Sequence, residues 1–290
     1  MKSLQPLPIL ALSLGAFLLF GIPSYQAIGD SNPPNPTVTV SNSQAPLLDV
    51  LKQSDIIYLA ENHDDAAAHA AQLAIIQALH SENRPVAIAM EMFQRPFQPV
   101  LDRYLQGEIT EVELREQSEY DRRWGFDWEF YAPILRYAQA HNIPVIAANT
   151  PTEISRKAAQ EGLEGLSEED FRYIPPATEI DLGPAAYREY LQQIYSAHAG
   201  HGNSTNFDRF MLAQVLWDET MAEAVAQFWQ ANPDTQVIVL AGKGHIMYDY
   251  GIPSRVERRL ADEDFSQTSV WLGEFMADLE PPADYAWPLE

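Results

Sequence analysis

From Leu47 onward the hydrophobic positions alternate between two rhythms. Short apolar runs bounded by polar residues recur at Ile56–Ala60, Pro85–Met90, Ile143–Ala148 and Val237–Ala241, and Ser269–Leu272 offers a fifth. Runs of that length, rich in β-branched residues, predict buried strands. Between them the apolar residues return at helical spacing. This predicts helices over Asp64–Ser81, with Asp64 or Asp65 as N-cap, and over Asp127–Asn142, Ile154–Glu161, Ala186–Ala197 and Phe207–Ala231. Thr110-Glu-Val-Glu113 fits a capping box that opens another helix, Gly162 stops the helix before it, and Ile252-Pro-Ser-Arg-Val256 begins a last one.

Strands of five or six residues alternating with longer helices predict an α/β fold, a mainly parallel sheet flanked by helices. Residues 47–278 read as this one domain, with a helical insertion. The Pro-rich stretch 279–290 reads as a loose tail.

Open parallel sheets bind their ligands beyond the carboxyl ends of the strands. That rule selects Glu61, Asn62 and His63 after the first strand and Glu91 after the second. Asn149 follows the third, and Gly242 to His245 follow the fourth. Two of these ends share a plan. D-I-I-Y-L-A-E-N-H-D-D at 55–65 and Q-V-I-V-L-A-G-K-G-H at 236–245 each run from an apolar strand through Leu-Ala to a histidine, a pseudo-repeated strand-turn-His motif. Gly242 and Gly244 let the backbone approach a ligand. Glu61, His63, Glu91 and His245 are therefore candidate catalytic residues, as general base and electrophile. Glu61, His63 and His245 are equally candidate ligands for a divalent transition metal. The plainer alternative is that acids after strands cap the next helix. His69, His80 and His141 fall within helical segments or at their ends and read as structural.

Three further features stand near this presumed cleft. The loop around His198 and His201 is a solvated linker or a lid that contributes a ligand. Trp124-Gly-Phe-Asp-Trp128, with Tyr120 and Tyr131, is core packing or the lining of a pocket for a flat apolar ligand. Arg156 pairs with a ligand carboxylate or with a surface acid.

Composition narrows the partners. Apolar residues are 46% and charged residues 20%, which is globular makeup. A net charge of −23, from 41 acids against 18 Lys and Arg, repels phosphate backbones and anionic lipid, so nucleic acid is excluded as a partner. With no cysteine, disulfides, thiolate catalysis, Cys-based zinc sites and a lipid-bearing cysteine are excluded too. Met1-Lys2 followed by the apolar run Leu7 to Ile22 and Ala27-Ile28-Gly29 predicts a cleaved secretory signal over 1–29, with an uncleaved membrane anchor as the alternative. Residues 30–46 read as a flexible leader. Either way the expectation is export, to the periplasm or the cell surface.

Ala60-Glu-Asn-His63 and Gly242-Lys-Gly-His245 resemble the two Gly-x-x-His motifs of the ChaN-like haem-binding uptake group of the Tiki superfamily. Further segments resemble the family in the same order: Glu91-Met-Phe93, Tyr120-Asp121, Trp124-Gly125, Ala147 to Pro151 with Arg156, and Gly162 to Leu166. The His-Gly loop at 198–202, Ala213-Gln214, Trp217-Asp218 and Met221-Ala222 complete the set, so the likeness spans roughly 47–260. It implies an α/β, exported, haem-binding protein tied to haem or iron uptake. Haem iron accepts His or Tyr, so the resemblance makes His198, His201, Tyr195 and Tyr120 candidate iron ligands and Arg156 a candidate propionate partner. A homodimer sharing haem is a further expectation. Relatives include Tiki/TraB-type metalloproteases and erythromycin-esterase-like hydrolases, which use the corresponding Glu, His and Arg positions, so a metal-dependent hydrolase is the second expectation. The chain departs from the family pattern at Ala60, where the family has Gly, and in lacking the cysteine of its lipoprotein members.

Overall fold

A computed structural model describes residues 44–82, 84–197, 206–276 and 279–289. The expected signal segment, most of the leader, His198 and His201 lie outside the described residues. Helix α1 (Ala45–Leu51) starts two residues before the expected domain boundary and leads into β1 (Ile56–Glu61) and α2 (Ala66–His80). After β2 (Val86–Gln94) comes the helical insertion: α3 (Gln98–Leu105), α4 (Glu111–Gln117), α5 (Tyr120–Arg123) and α6 (Trp128–His141). Strand β3 (Val145–Asn149) is followed by α7 (Thr152–Glu161), α8 (Ala185–Ala197) and α9 (Phe207–Ala231). Then β4 (Gln236–Gly242), α10 (Ile252–Arg259), β5 (Gln267–Leu272) and β6 (Tyr285–Trp287) complete the order.

The six strands form one sheet in the order β3-β2-β4-β1-β5-β6, and its pairings are parallel. Strand β1 is buried along its whole length, as a parallel strand covered on both faces must be. Ile57 and Leu59, with Ile88, Met90, Ile238 and Leu240, pack under α2, α3 and α6. The alternate residues Ile56, Tyr58 and Ala60, with Val237, Val239 and Ala241, pack under α9 and α10. Each such aliphatic side chain contributes about 2 kcal/mol of burial.

Local signals act as the sequence predicts. Asp65 caps α2 by accepting from Ala67 N and Ala68 N at 3.0 and 3.4 Å. Thr110 and Glu113 form a reciprocal capping box on α4. Helix α9 is bolted to α10 through Glu219, whose sealed carboxylate meets Arg255 at 3.2 Å and Arg258 and Arg259 at 2.7 Å each.

Two expectations need correction. Glu91 does not follow β2 but lies inside it, because the strand runs on to Gln94 with its register against β3 shifting between Met90 and Gln94. Such an irregularity re-aims side chains at a sheet's end. The stretch from 279 is not loose throughout: Tyr285–Trp287 pairs with Val270–Leu272 as edge strand β6.

Candidate functional site

Because β1 and β4 are neighbours, their two histidine turns emerge side by side. The sheet register pairs Ala60 with Ala241 and Glu61 with Gly242. In space the motifs are therefore offset by one residue: Glu61, not Ala60, is the partner of Gly242. The glycine is required there by the other motif. A Cβ on Gly242 would stand 2.8 Å from both Cε1 and Nε2 of His63, closer than a methyl group tolerates. Gly242 has φ −60°, so the need is for space, not for an unusual backbone.

Glu91 lies between the two turns. Its Oε2 accepts the Gly242 amide at 2.7 Å, and its Oε1 lies 3.4 Å from His245 Nε2. Burial alone would raise its carboxyl, but the imidazoles of His245 and His63 and the Gly242 amide outweigh that and hold it at about 2.

Each histidine is backed by a second acid. His245 Nδ1 lies 2.6 Å from Asp218 Oδ1, so both of its ring nitrogens face carboxylates. Burial opposes its charge, yet Glu91 and Asp218 raise it to about 10. Asp218 is sealed, accepts a hydrogen bond from Tyr187 Oη through its other oxygen, and is thereby fixed. Tyr187 in turn lies under the Arg255 guanidinium, 5.3 Å from the ring centroid. His63 Nδ1 lies 2.8 Å from Glu61 Oε1. Burial lowers its pKa, but Glu91 and Glu61 outweigh this and raise it.

Glu61 is held by more than His63. The same Oε1 accepts from Tyr131 Oη at 2.6 Å, and Oε2 accepts from Gln72 Nε2 at 2.5 Å with His69 Nδ1 at 3.6 Å. His69 also lies 3.1 Å from the His63 carbonyl through Nε2. Glu61 is thus an orienting acceptor with its lone pairs committed. For the metal expectation at Glu61, His63 and His245, among the described residues no group of three or more His, Asp or Glu side chains is placed to hold a metal ion. The Nδ1 atoms are engaged by Glu61 and Asp218, and His245 Nε2 faces Glu91.

The walls of the cleft are aromatic. Trp124 and Phe126 have ring centroids 4.7 and 4.9 Å from His63, and Trp217 lies 6.2 Å from His245. The expected haem residues are dispersed. Tyr120 is 1% exposed, enclosed by Phe93, Trp128 and Tyr131, and its hydroxyl has no partner among the described residues, so it belongs to the core. Tyr195 packs on Phe207 and Phe210, holding α8 to α9. Arg156 is exposed on α7. Asn149 ties two strand ends together, donating from Nδ2 to the Glu91 carbonyl at 2.9 Å.

Sequence reasoning missed Asp218, Tyr187, Tyr131 and Gln72 as parts of this array. The signal for Asp218 lay in helix α9. Met211, Val215, Asp218, Ala222, Val225 and Trp229 form one buried stripe, and an acid on an apolar stripe demands a buried partner. Gln72 sits in the same way between Ala68 and Leu79 on α2.

Comparison with known proteins places this geometry. RETICULATA-RELATED 5, a chloroplastic protein of Arabidopsis thaliana, is 26% identical over 265 residues, a match that takes in 82% of this chain and 34% of that protein. The chain therefore spans about a third of that relative's length. ChaN of Campylobacter jejuni, solved for its cofacial haem binding, superposes with a TM-score of 0.64 at 20% identity, covering 85% of this chain and 91% of that one, which shows a shared fold. A mutant erythromycin esterase, EreC, in its open conformation reaches a TM-score of 0.47 at 14% identity, covering 80% of this chain and 72% of its own. The sequence model described as haem-binding uptake, Tiki superfamily, ChaN matches residues 47–256. That stretch carries both histidine turns, the strand that holds Glu91 and the helix that supplies Asp218, and the chain belongs to this haem-binding uptake family.

Proposed function

We propose that this chain is an exported protein that binds haem in haem or iron uptake, holding it as cargo at the cleft beyond the carboxyl ends of the strands. The observation that carries the reading is the family match, which runs through 47–256 without leaving out any part of the cleft described above. Haem needs a flat apolar wall, an axial ligand and partners for its propionates. Trp124, Phe126 and Trp217 provide the wall. His63 Nε2 takes no hydrogen bond among the described residues and is the cleft nitrogen left for a ligand. Tyr120 does not fit, being enclosed in the core, whereas Tyr195 and Arg156 stay as candidates, as do His198 and His201, which lie outside the described residues. The basic start and apolar run of the first 29 residues support export to the periplasm or surface, cleaved or retained as an anchor. Haemin added to the purified chain is expected to give a saturable Soret shift at a defined stoichiometry, and a shift that merely grows with concentration refutes the reading. Sedimentation with and without haemin tests the homodimer.

A second reading has its own observation. A carboxylate held anionic between two imidazoles, each backed by another acid, is an acid–base array of the kind hydrolases use. In this reading His245 donates a proton, His63 is the base, and Glu61, Glu91 and Asp218 set their charge. Hydrolysis of an ester and peptide panel, lost in both His63→Ala and His245→Ala and insensitive to chelator, is its expected signature. Activity surviving either substitution rejects it, and loss to chelator restores the metal-dependent form.

A further inference from the structure

Lys243 lies between the two glycines of the second turn and is 5% exposed. Its Nζ sits 4.3 Å from the centroid of the Trp271 ring. Among the described residues it makes no hydrogen bond and no ion pair, and Asp65 acts on it only through space. A lysine this buried is almost always paired, because a charge taken out of water needs a partner. A ring face compensates only part of that cost. The residue is nevertheless not fully sealed, a small part of its surface staying exposed. Gly273, just past the end of β5, is its neighbour there, a Cβ on it standing 3.7 Å from Nζ. Glu91 lies toward β2 through Gly242 N, whereas Lys243 reaches across the end of β1 toward β5. Glu91 and Lys243 therefore stand on opposite sides of the β4 turn, the carboxylate between the two imidazoles and the amine without an ion-pair partner among the described residues.

The geometry points to Lys243 as the anion-recognition point of the cleft, taking a carboxylate group of the bound ligand against the face of Trp271. One arm of its test rests on the haem reading and one does not. In the first, zinc protoporphyrin and its dimethyl ester are titrated into wild type, Lys243→Met and Lys243→Arg. The free acid is expected to bind wild type about ten-fold more tightly than the ester. Lys243→Met erases that difference, and Lys243→Arg keeps most of it. Equal binding of acid and ester by wild type, or a difference that survives Lys243→Met, overturns the proposal while leaving haem binding intact. In the second arm the lysines are reductively methylated with ¹³C, and the Lys243 resonance, assigned by its loss in Lys243→Met, is followed as pentanoate is added. A saturable shift supports the site even if no porphyrin binds. No shift up to the highest soluble pentanoate, together with no porphyrin binding, overturns it. Matching circular dichroism of the variants removes misfolding as the cause.

Discussion

The ring of His63 occupies the space that a side chain on Gly242 would need, with Cε1 and Nε2 each 2.8 Å from the position of the missing Cβ. The first turn thus dictates the residue at the second. Gly242→Ala forces His63 off Glu61 or bends the end of β4. The expected cost is about 1–3 kcal/mol, the range for overpacking a tight site, with a fall in Tm of several degrees. Thermal unfolding monitored by circular dichroism measures it. An unchanged Tm would mean that His63 moves freely.

Glu91 is the charge that both imidazoles share. Glu91→Gln keeps an acceptor for the Gly242 amide but removes the anion, so His245 should lose much of its raised affinity for protons. NMR titration of the His245 ring in wild type and variant reads this directly, with a lower midpoint in the variant. Urea unfolding should show a loss of about 3 kcal/mol, as expected when one partner of a buried ion pair is removed. A variant that titrates like wild type would show that Asp218 alone sets the charge of His245.

The same pair predicts how stability follows pH. Glu91 is depressed to about 2 from an ordinary 4.5, so its contribution is present above 4.5 and lost as pH falls toward 2. His245 is raised from 6.5 to about 10, so its contribution is full below 6.5 and lost as pH rises through 10. Their joint contribution is greatest between 4.5 and 6.5. Urea midpoints at pH values below, within and above that window should peak inside it, and the alkaline loss should be smaller in His245→Gln.

Behind His245, Tyr187 and Asp218 have separable roles. Tyr187→Phe removes one hydrogen bond to Asp218 and should cost about 1 kcal/mol while leaving His245 raised. Asp218→Asn removes a charge that His245 Nδ1 faces at 2.6 Å and should lower the His245 midpoint. If both variants move the midpoint equally, Tyr187 is acting on the histidine through the orientation of Asp218.

Much of this arrangement was readable from the chain. The β-branched runs gave the central strands, because a buried parallel strand needs apolar side chains on both faces, and the parallel rule then led to Glu61, His63, Glu91 and His245. The offset between the motifs was not readable. Sequence aligns Ala60 with Gly242, but strand register, set by packing of Ile56 to Glu61 against both neighbours, aligns Glu61 with it. This also explains why Ala60 is tolerated: it is buried in the face under α9 and α10, away from the His63 ring. Strand β6 escaped notice because three residues at a sheet edge leave no periodicity. Asp218 was visible only as an acid on an apolar stripe, with nothing in the sequence to say that His245 would meet it.

The proposed haem site is the strand-end cleft where His63 stands against Trp124 and Phe126. Haemin titration of wild type, His63→Ala and Tyr120→Phe, followed in the Soret band, tests it most directly. Wild type is expected to bind saturably, His63→Ala to bind about ten-fold or more weakly with an altered spectrum, and Tyr120→Phe, whose hydroxyl is enclosed in the core, to bind like wild type. Wild-type affinity and spectrum in His63→Ala, or no saturable binding by wild type, would contradict it.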